Sequence, residues 1–223
     1  MIRAIVYDAV GTLLHVTPSV GAIYADIGRR FGSRRSAEDV RARFHAAFAE
    51  QDRLDKAAGW RTSEERERQR WRDIVLTVLD DAKPTTACFE ALWTAFSKPD
   101  VWQLDPDAND VIRAFHKRGL QQALASNFDQ RLRGIIAMDV LDPIIISSEI
   151  GWRKPAPEFF AHVIDALKLP AREILFVGDD RVNDFAAAAR AGMHSVLFDA
   201  EERHLDAGMQ RVERLEQLLT FPV

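Results

Sequence analysis

Hydrophobic positions along the chain follow two periodicities, one typical of strands and one typical of helices. Short apolar runs rich in β-branched residues predict strands at 2–7, 120–125, 144–147, 174–177 and 195–198. Helical patterns lie between the last four runs, and one of them opens at Pro157. Strands that alternate with helices predict an α/β protein whose parallel sheet is covered by helices on both faces.

The connection after the first strand differs from the others because it is long and purely helical. Three serines in this stretch are placed to cap helices: Ser19, Ser36 and Ser63. Asp39 follows the second of them at the spacing of a capping box. The apolar spacing predicts four helices, which are too many for an ordinary crossover. We therefore expect an all-helical cap domain at 16–100, inserted into a core domain formed by 1–15 and 101–223.

Composition narrows the possible function classes. The net charge of −4 argues against a general nucleic-acid binder, and the single cysteine, Cys88, excludes an internal disulfide framework and a cysteine-rich zinc site. No apolar run approaches the roughly 18–20 residues that a membrane span needs. Asp8 interrupts the apolar N-terminal stretch, which argues against a secretory signal. We expect a cytoplasmic protein, monomeric by default, that acts on a small molecule rather than on nucleic acid or a membrane.

Polar segments follow four of the predicted strands, at the sheet edge where α/β proteins bind their ligands. They contain these candidate site residues: Asp8, Gly11, Thr12, Ser126, Asn127, Lys154, Asp179 and Asp184. Taken singly, each segment could also be a turn, a helix cap or a surface loop. The acid-rich run at 178–184 has no local excess of cations, so a divalent metal such as Mg²⁺ would offset its charge.

The order and position of these segments resemble the haloacid dehalogenase superfamily, in the subgroup with a helical cap between the first and second motifs. The resemblance covers essentially the whole chain and implies a Rossmann-like core. It implies that Asp8 is a nucleophile that attacks phosphorus and forms an aspartyl-phosphate. It further implies that Mg²⁺ is held by Asp8, the backbone carbonyl of Val10 and Asp179, with Asp184 nearby. The phosphoryl group would be bound by the remaining motif residues: Gly11, Thr12, Ser126, Asn127 and Lys154.

One position departs from the pattern of the phosphatases in this superfamily. They carry a second Asp two residues after the nucleophile, which protonates the leaving oxygen and later activates the hydrolytic water, but this chain has Val10, which can do neither. Losing such a group typically costs about 10²–10⁴ in rate. His15 and His45 are possible substitutes for this group, although each is also expected as an ordinary surface or packed histidine.

Three functions stay open at this point. The first is a slow or restricted Mg²⁺-dependent phosphatase that acts on a small phosphorylated metabolite. The second is a related hydrolase chemistry. It would be either a haloacid dehalogenase, an enzyme class that dispenses with Mg²⁺, or a phosphonoacetaldehyde hydrolase, for which Lys56 would be the candidate Schiff-base lysine. The third is a catalytically silent binding or regulatory protein.

Several other cap residues have a structural interpretation. The Arg/Glu run at 61–72 is expected to be a solvated helix face. Four tryptophans are expected in the core or at the domain junction: Trp60, Trp93, Trp102 and Trp152. Arg153, beside Lys154, is a candidate substrate contact.

Overall fold

A computed structural model describes residues 1–136, 138–204 and 208–221 of the protein. The strands of its main sheet are β1 (Ala4–Tyr7), β4 (Gln121–Ser126), β5 (Ile144–Ile146), β6 (Ile174–Gly178), β7 (His194–Phe198) and β8 (Arg211–Val212). They pair in parallel in the spatial order β5-β4-β1-β6-β7-β8. The predicted Rossmann-like parallel sheet is confirmed, and β8 is an additional edge strand that the sequence pattern did not predict.

The register of the central strands brings the candidate motifs together. Tyr7, the last residue of β1, pairs with Leu124 of β4 on one side and with Val177 of β6 on the other. The three strands therefore end at nearly the same level. The segments that begin at Asp8, Ser126 and Gly178 consequently meet at one edge of the sheet.

The sheet is buried between two layers of side chains. On one face, α5 (Ala108–Lys117) contributes Val111, Ile112 and Phe115 to a cluster that includes Ile5 and Tyr7. The other face is covered by α8 (Pro157–Leu167) and by α9 (Ala187–Arg190). Fully burying a large apolar side chain contributes about 1.5–3 kcal/mol, so these clusters hold the sheet edge in place.

The predicted four-helix stretch forms as α1 (Val20–Arg29), α2 (Ala37–Ala57), α3 (Glu64–Val78) and α4 (Thr85–Ala95). The predicted caps are confirmed: Ser19 and Ser63 accept backbone N–H groups, and Ser36 with Asp39 forms the capping box. These helices share a separate hydrophobic cluster around Val40, Ile74 and Phe89. The insert therefore packs largely on its own apolar residues.

A short antiparallel ribbon joins the insert to the sheet. It consists of β2 (Leu14–Val16) and β3 (Trp102–Leu104), with His15 opposite Gln103. The sequence analysis did not predict this pairing, because each strand has only three residues. The division into a core of 1–15 and 101–223 and a cap of 16–100 stays a prediction, whose boundaries fall in or beside this ribbon.

Shorter elements complete the fold. They are α6 (Leu132–Ile135), α7 (Ser147–Ile150) and the 3₁₀ turns Pro99–Val101, Ala171–Glu173 and Leu215–Thr220. The helix expected at 182–191 begins as a π-helical turn, Arg181–Ala186, before it continues as α9. Among the described residues, no helix is both long and apolar enough to cross a membrane.

Candidate functional site

A cavity of about 500 Å³ lies between the helical insert and the edge of the sheet where β1, β4 and β6 end. The candidate site residues that line it are Asp8, Val10, Gly11, Ser126, Asn127, Lys154, Asp179 and Asp184. Thr12 is fully buried outside the lining, and its hydroxyl has no hydrogen-bond partner among the described residues. The structure thus gathers the predicted site residues around one cavity, apart from Thr12, which is buried outside the lining.

The centre of the site is a lysine held between two carboxylates. The Lys154 ammonium donates to Asp8 Oδ1 at 2.6 Å and to Asp184 Oδ1 at 2.6 Å, and it also reaches the Ala125 carbonyl at 3.3 Å. Lys154 is 3% exposed, so these charge-assisted bonds are shielded from water. The position of its positive charge is therefore tightly fixed next to Asp8.

Acid groups outnumber cations at this point. One carboxylate oxygen from each of Asp8, Asp179 and Asp184 lies within 4.8 Å of the other two. Burial, together with the charge of Asp8, raises the pKa of Asp179 to about 7. Burial also raises the pKa of Asp184, although Lys154 acts against this shift. Burial alone would lower the pKa of Lys154, but Asp184 and Asp8 raise it above its ordinary value.

Two glycines allow these carboxylates to approach the backbone. Gly11 has a φ of +92°, and a Cβ there would lie 2.4 Å from Asp179 Oδ2. A Cβ on Gly178 would lie 2.3 Å from Asp184 Oδ2. A Cβ atom essentially never lies within 3 Å of such an atom, so both positions require glycine as long as the two carboxylates stay in place.

Asn127 positions the lysine loop. Its side-chain amide donates to the Lys154 carbonyl at 3.0 Å, and its side-chain oxygen accepts from the Lys154 backbone N–H at 2.7 Å. This two-way contact ties the end of β4 to the loop that carries the ammonium. Asn127 lines the cavity, but much of its hydrogen-bonding capacity is used by Lys154.

A buried ion-pair network joins the insert to this loop. Arg153 is 4% exposed and pairs with Glu67 of α3, which also accepts from the Thr62 hydroxyl at 2.7 Å. Arg70 of α3 is 1% exposed and binds Asp55 and, at 2.7 Å, Asp52. The expectation of a wholly solvated Arg/Glu face at 61–72 is therefore wrong for Glu67 and Arg70. Periodicity alone did not reveal partners that lie on α2 and on the Lys154 loop.

Replacing Glu67 by Gln should lower the free energy of unfolding by about 3 kcal/mol. The change removes one of the two carboxylate charges beside the buried Arg153 guanidinium, the other being Asp55 at 3.5 Å, and breaking a buried pair from one side is strongly destabilising. Urea denaturation would measure it. Glu65→Gln, on the same helix but exposed, is the matched control and should stay within about 0.5 kcal/mol of the unchanged protein. Equal stability of the two variants would contradict the role given to the Glu67 charge.

The remaining candidates divide between the cavity and the surface. His45 lines the cavity, whereas His15 lies outside the lining and contacts Asp105 at 3.1 Å. Lys56 is exposed and also lies outside the lining. Trp93 and Trp102 line the cavity, so for them the expectation of a purely structural role is incomplete. The sequence analysis also missed Arg131, whose guanidinium lies 3.5 Å from the centre of the Trp93 ring.

The donor set fits a hard divalent cation. Oxygen ligands predominate at this end of the cavity, and the acids there would repel one another strongly when all are ionised. Among the described residues, the other cationic side chain that contacts these acids is Arg203. Its guanidinium lies 3.8 Å from Asp179 and is about half exposed. A divalent cation would supply the missing positive charge.

Comparisons with known proteins agree with this architecture. The family model for haloacid dehalogenase-like hydrolases matches residues 2–192. The human haloacid dehalogenase-like hydrolase domain-containing protein 3 is 31% identical over 208 residues, which cover 88% of this chain and 81% of that protein. The ribulose-1,5-bisphosphate 5-phosphatase of Halopiger xanaduensis is 30% identical over 118 residues, covering 51% of this chain and 48% of that protein.

Solved structures show the same fold. The L-2-haloacid dehalogenase of Xanthobacter autotrophicus with chloropropionic acid covalently bound aligns with a TM-score of 0.78 and 18% identity, over 98% of this chain and 97% of that one. A hydrolase from Bacillus subtilis bound to magnesium aligns with a TM-score of 0.77 and 16% identity, over 97% and 96% of the two chains. The family match over most of the chain, the relative at 31% identity and the shared fold lead to one conclusion: the chain belongs to the haloacid dehalogenase-like hydrolases.

Proposed function

We propose that the protein is a Mg²⁺-dependent phosphatase that acts on a small phosphorylated metabolite through an aspartyl-phosphate on Asp8. The observation that carries this proposal is the acidic cluster of Asp8, Asp179 and Asp184 around a single buried ammonium. Dehalogenases of this superfamily dispense with Mg²⁺, so an acidic cluster suited to a divalent cation argues against that alternative. The phosphonoacetaldehyde hydrolase alternative needs a second lysine, contributed to the cavity by the cap, but its candidate, Lys56, is exposed and lies outside the lining.

In this proposal each residue has a definite task. Asp8, the Val10 carbonyl and Asp179 would hold Mg²⁺, with Asp184 beside them. When bound, Mg²⁺ would neutralise repulsion between the anionic substrate and the attacking carboxylate. Lys154 would bind phosphoryl oxygens, because its ammonium already lies 2.6 Å from the carboxylate that attacks. Ser126 and the Gly11 turn would complete the phosphate contacts, while Asn127 keeps Lys154 in place.

Phosphate release from 4-nitrophenyl phosphate tests the proposal directly. Its leaving group departs without a proton donor, so Val10 should not block formation of the aspartyl-phosphate, which water then hydrolyses without a base at position 10. We expect release with Mg²⁺, loss of release with a chelator, and recovery when excess Mg²⁺ is added. Asp8→Asn, purified in parallel, should release no more phosphate than buffer. Release that persists in Asp8→Asn would contradict the assignment of Asp8 as the nucleophile. No release from either protein would contradict the phosphatase proposal and favour a silent binding protein.

Replacing Gly11 by Ala should weaken Mg²⁺ binding at least about tenfold. The new Cβ would lie 2.4–2.7 Å from the atoms of the Asp179 carboxylate and displace it, and a residue with a positive φ would have to carry a side chain. Titration calorimetry with Mg²⁺ would measure the change. Gly134→Ala is the matched control, because a Cβ there meets nothing within 4 Å. Unchanged Mg²⁺ affinity in Gly11→Ala would show that Asp179 does not hold the ion.

A further inference from the structure

The cavity has a polar floor and an aromatic wall. The floor is the carboxylate and lysine cluster at the sheet edge. The wall comes from all four helices of the insert and from the ribbon, and its rings include Tyr24, Phe44, Phe48, Trp71, Phe96 and Trp102. A volume of about 500 Å³ is within the range of small-molecule sites, roughly 300–1,000 Å³.

The rings of the wall form a connected surface rather than scattered contacts. Phe44 is the centre of one group: its ring centroid lies 5.6 Å from that of Tyr24, 5.8 Å from Phe48 and 6.2 Å from Trp71. Phe96 lies 5.9 Å from Tyr24 and continues the surface. Apart from Tyr24, these rings keep part of their surface accessible. Partly accessible apolar rings around one cavity favour an apolar ligand that removes them from water.

Each described arginine in the wall is paired with a carboxylate of the protein, so none is left to bind a second anionic group of a substrate. Arg70 pairs with Asp52 and Asp55, and Arg153 pairs with Glu67. Arg131 binds Asp129 at 2.6 Å. Within the described part of the lining, each arginine thus has a carboxylate partner. This arrangement disfavours a substrate with charged groups at both ends and favours one with a single phosphate and an apolar body.

The absence of a general acid at position 10 also favours an aromatic substrate. Val10 lines the cavity but cannot protonate a leaving oxygen. An alkoxide leaves slowly without that proton, whereas a phenolate spreads its charge over the ring and leaves unaided. An aromatic leaving group could therefore pack against the aromatic wall and depart without a proton donor.

Resting on the phosphatase function proposed above, we propose that the substrates are phosphate monoesters of phenols, with the ring against the aromatic wall. Asp8 Oδ forms a bond to phosphorus as the bond from phosphorus to the aryl oxygen breaks. The phenolate leaves with the electron pair and takes its proton from water. A water molecule then attacks the aspartyl-phosphate at phosphorus, which releases inorganic phosphate and restores the Asp8 carboxylate.

Three substrates separate the contribution of the aromatic wall to binding from that of the leaving group to the reaction. We expect kcat/KM with Mg²⁺ for 2-naphthyl phosphate to exceed that for 2-cyclohexylethyl phosphate by about 10²-fold or more, since only the second needs a proton on its leaving oxygen. Acetyl phosphate, which has a good leaving group but no ring, measures the reaction alone. Phe44→Ala should raise KM about tenfold for 2-naphthyl phosphate and less than about twofold for acetyl phosphate. Phe31→Ala is the control, because Phe31 packs in the insert but lies outside the cavity lining.

Binding of a non-hydrolysable probe distinguishes failure of this proposal from failure of the proposed reaction. With Mg²⁺ present, 2-naphthylmethylphosphonate should bind at least about tenfold more tightly than methylphosphonate, and Phe44→Ala should remove the difference. Turnover of acetyl phosphate with no preference for naphthyl ligands would overturn the aryl assignment and leave the phosphatase function standing. Tight naphthyl binding with no turnover of any phosphate would overturn the reaction, and with it the assignment of aryl phosphates as substrates.

Discussion

Replacing Lys154 by Met should lower the rate of phosphate release by about 10³–10⁵-fold, the effect of removing a cation from a transferring phosphoryl group. The same change should reduce stability in Mg²⁺-free buffer by about 3–5 kcal/mol, because one partner of a buried charge network is lost. In the structure the ammonium lies 2.6 Å from both Asp8 and Asp184. Without it, the acidic cluster has no buried cation among the described residues that contact it.

Mg²⁺ should restore part of that stability. In the unchanged protein the ion competes with Lys154 for Asp8 and Asp184, whereas in Lys154→Met it would meet carboxylates with no internal partner. The increase in melting temperature on adding Mg²⁺ should therefore be larger for Lys154→Met than for the unchanged protein. Calorimetry with and without Mg²⁺ would measure both quantities.

Lys117→Met is the matched control for this experiment, because Lys117 is exposed on α5. It should change neither the rate nor the response to Mg²⁺. A Lys154→Met variant that melts at the same temperature as Lys117→Met in Mg²⁺-free buffer would contradict the importance of the buried pairs. Full activity in Lys154→Met would remove Lys154 from the proposed phosphate site.

The sheet and its site edge were predictable from local sequence signals. Runs such as 174–177 are apolar and short, and their alternation with helices predicts a parallel sheet. In such a sheet, residues after neighbouring strands share one edge. The proximity of Asp8, Ser126 and Gly178 is therefore a consequence of topology and can be predicted from the sequence alone. The helix caps at Ser19, Ser36 and Ser63 were predictable for the same reason, since each depends on neighbours within three residues.

Contacts between distant segments were not predictable in this way. Glu67 and Arg70 belong to a highly charged helix, and helical spacing cannot tell a solvated arginine from one that pairs with an acid on another helix. Their burial depends on Asp55 of α2 and on Arg153, 86 residues along the chain from Glu67. The roles of Trp93 and Trp102 were missed for a related reason, because a cavity between an insert and a sheet exists only after both are assembled.

Replacing Val10 by Asp should increase the turnover of alkyl phosphates by about 10²–10⁴-fold. The kcat/KM of aryl phosphates should change much less, because it reflects only the steps up to release of the leaving group, and a phenolate leaves without an acid. Val10 lines the same cavity as the nucleophile and is only partly buried, so a carboxyl group can be accommodated there. The added acid would lie close to an existing acidic cluster, and repulsion would raise its pKa. A raised pKa favours the protonated form, which is the form that donates to a leaving alkoxide.

Val10→Asn is the control that isolates the proton, because Asn has nearly the same size and polarity as Asp but is not a general acid. Rates for 2-cyclohexylethyl phosphate and 2-naphthyl phosphate should be compared across the two variants and the unchanged protein. A gain in Val10→Asp alone, concentrated on the alkyl ester, would identify the missing proton donor as the element that limits the reaction. Equal rates in Val10→Asp and Val10→Asn would contradict this explanation. They would mean that a site with its nucleophile, lysine and acids in place is limited by something other than leaving-group protonation.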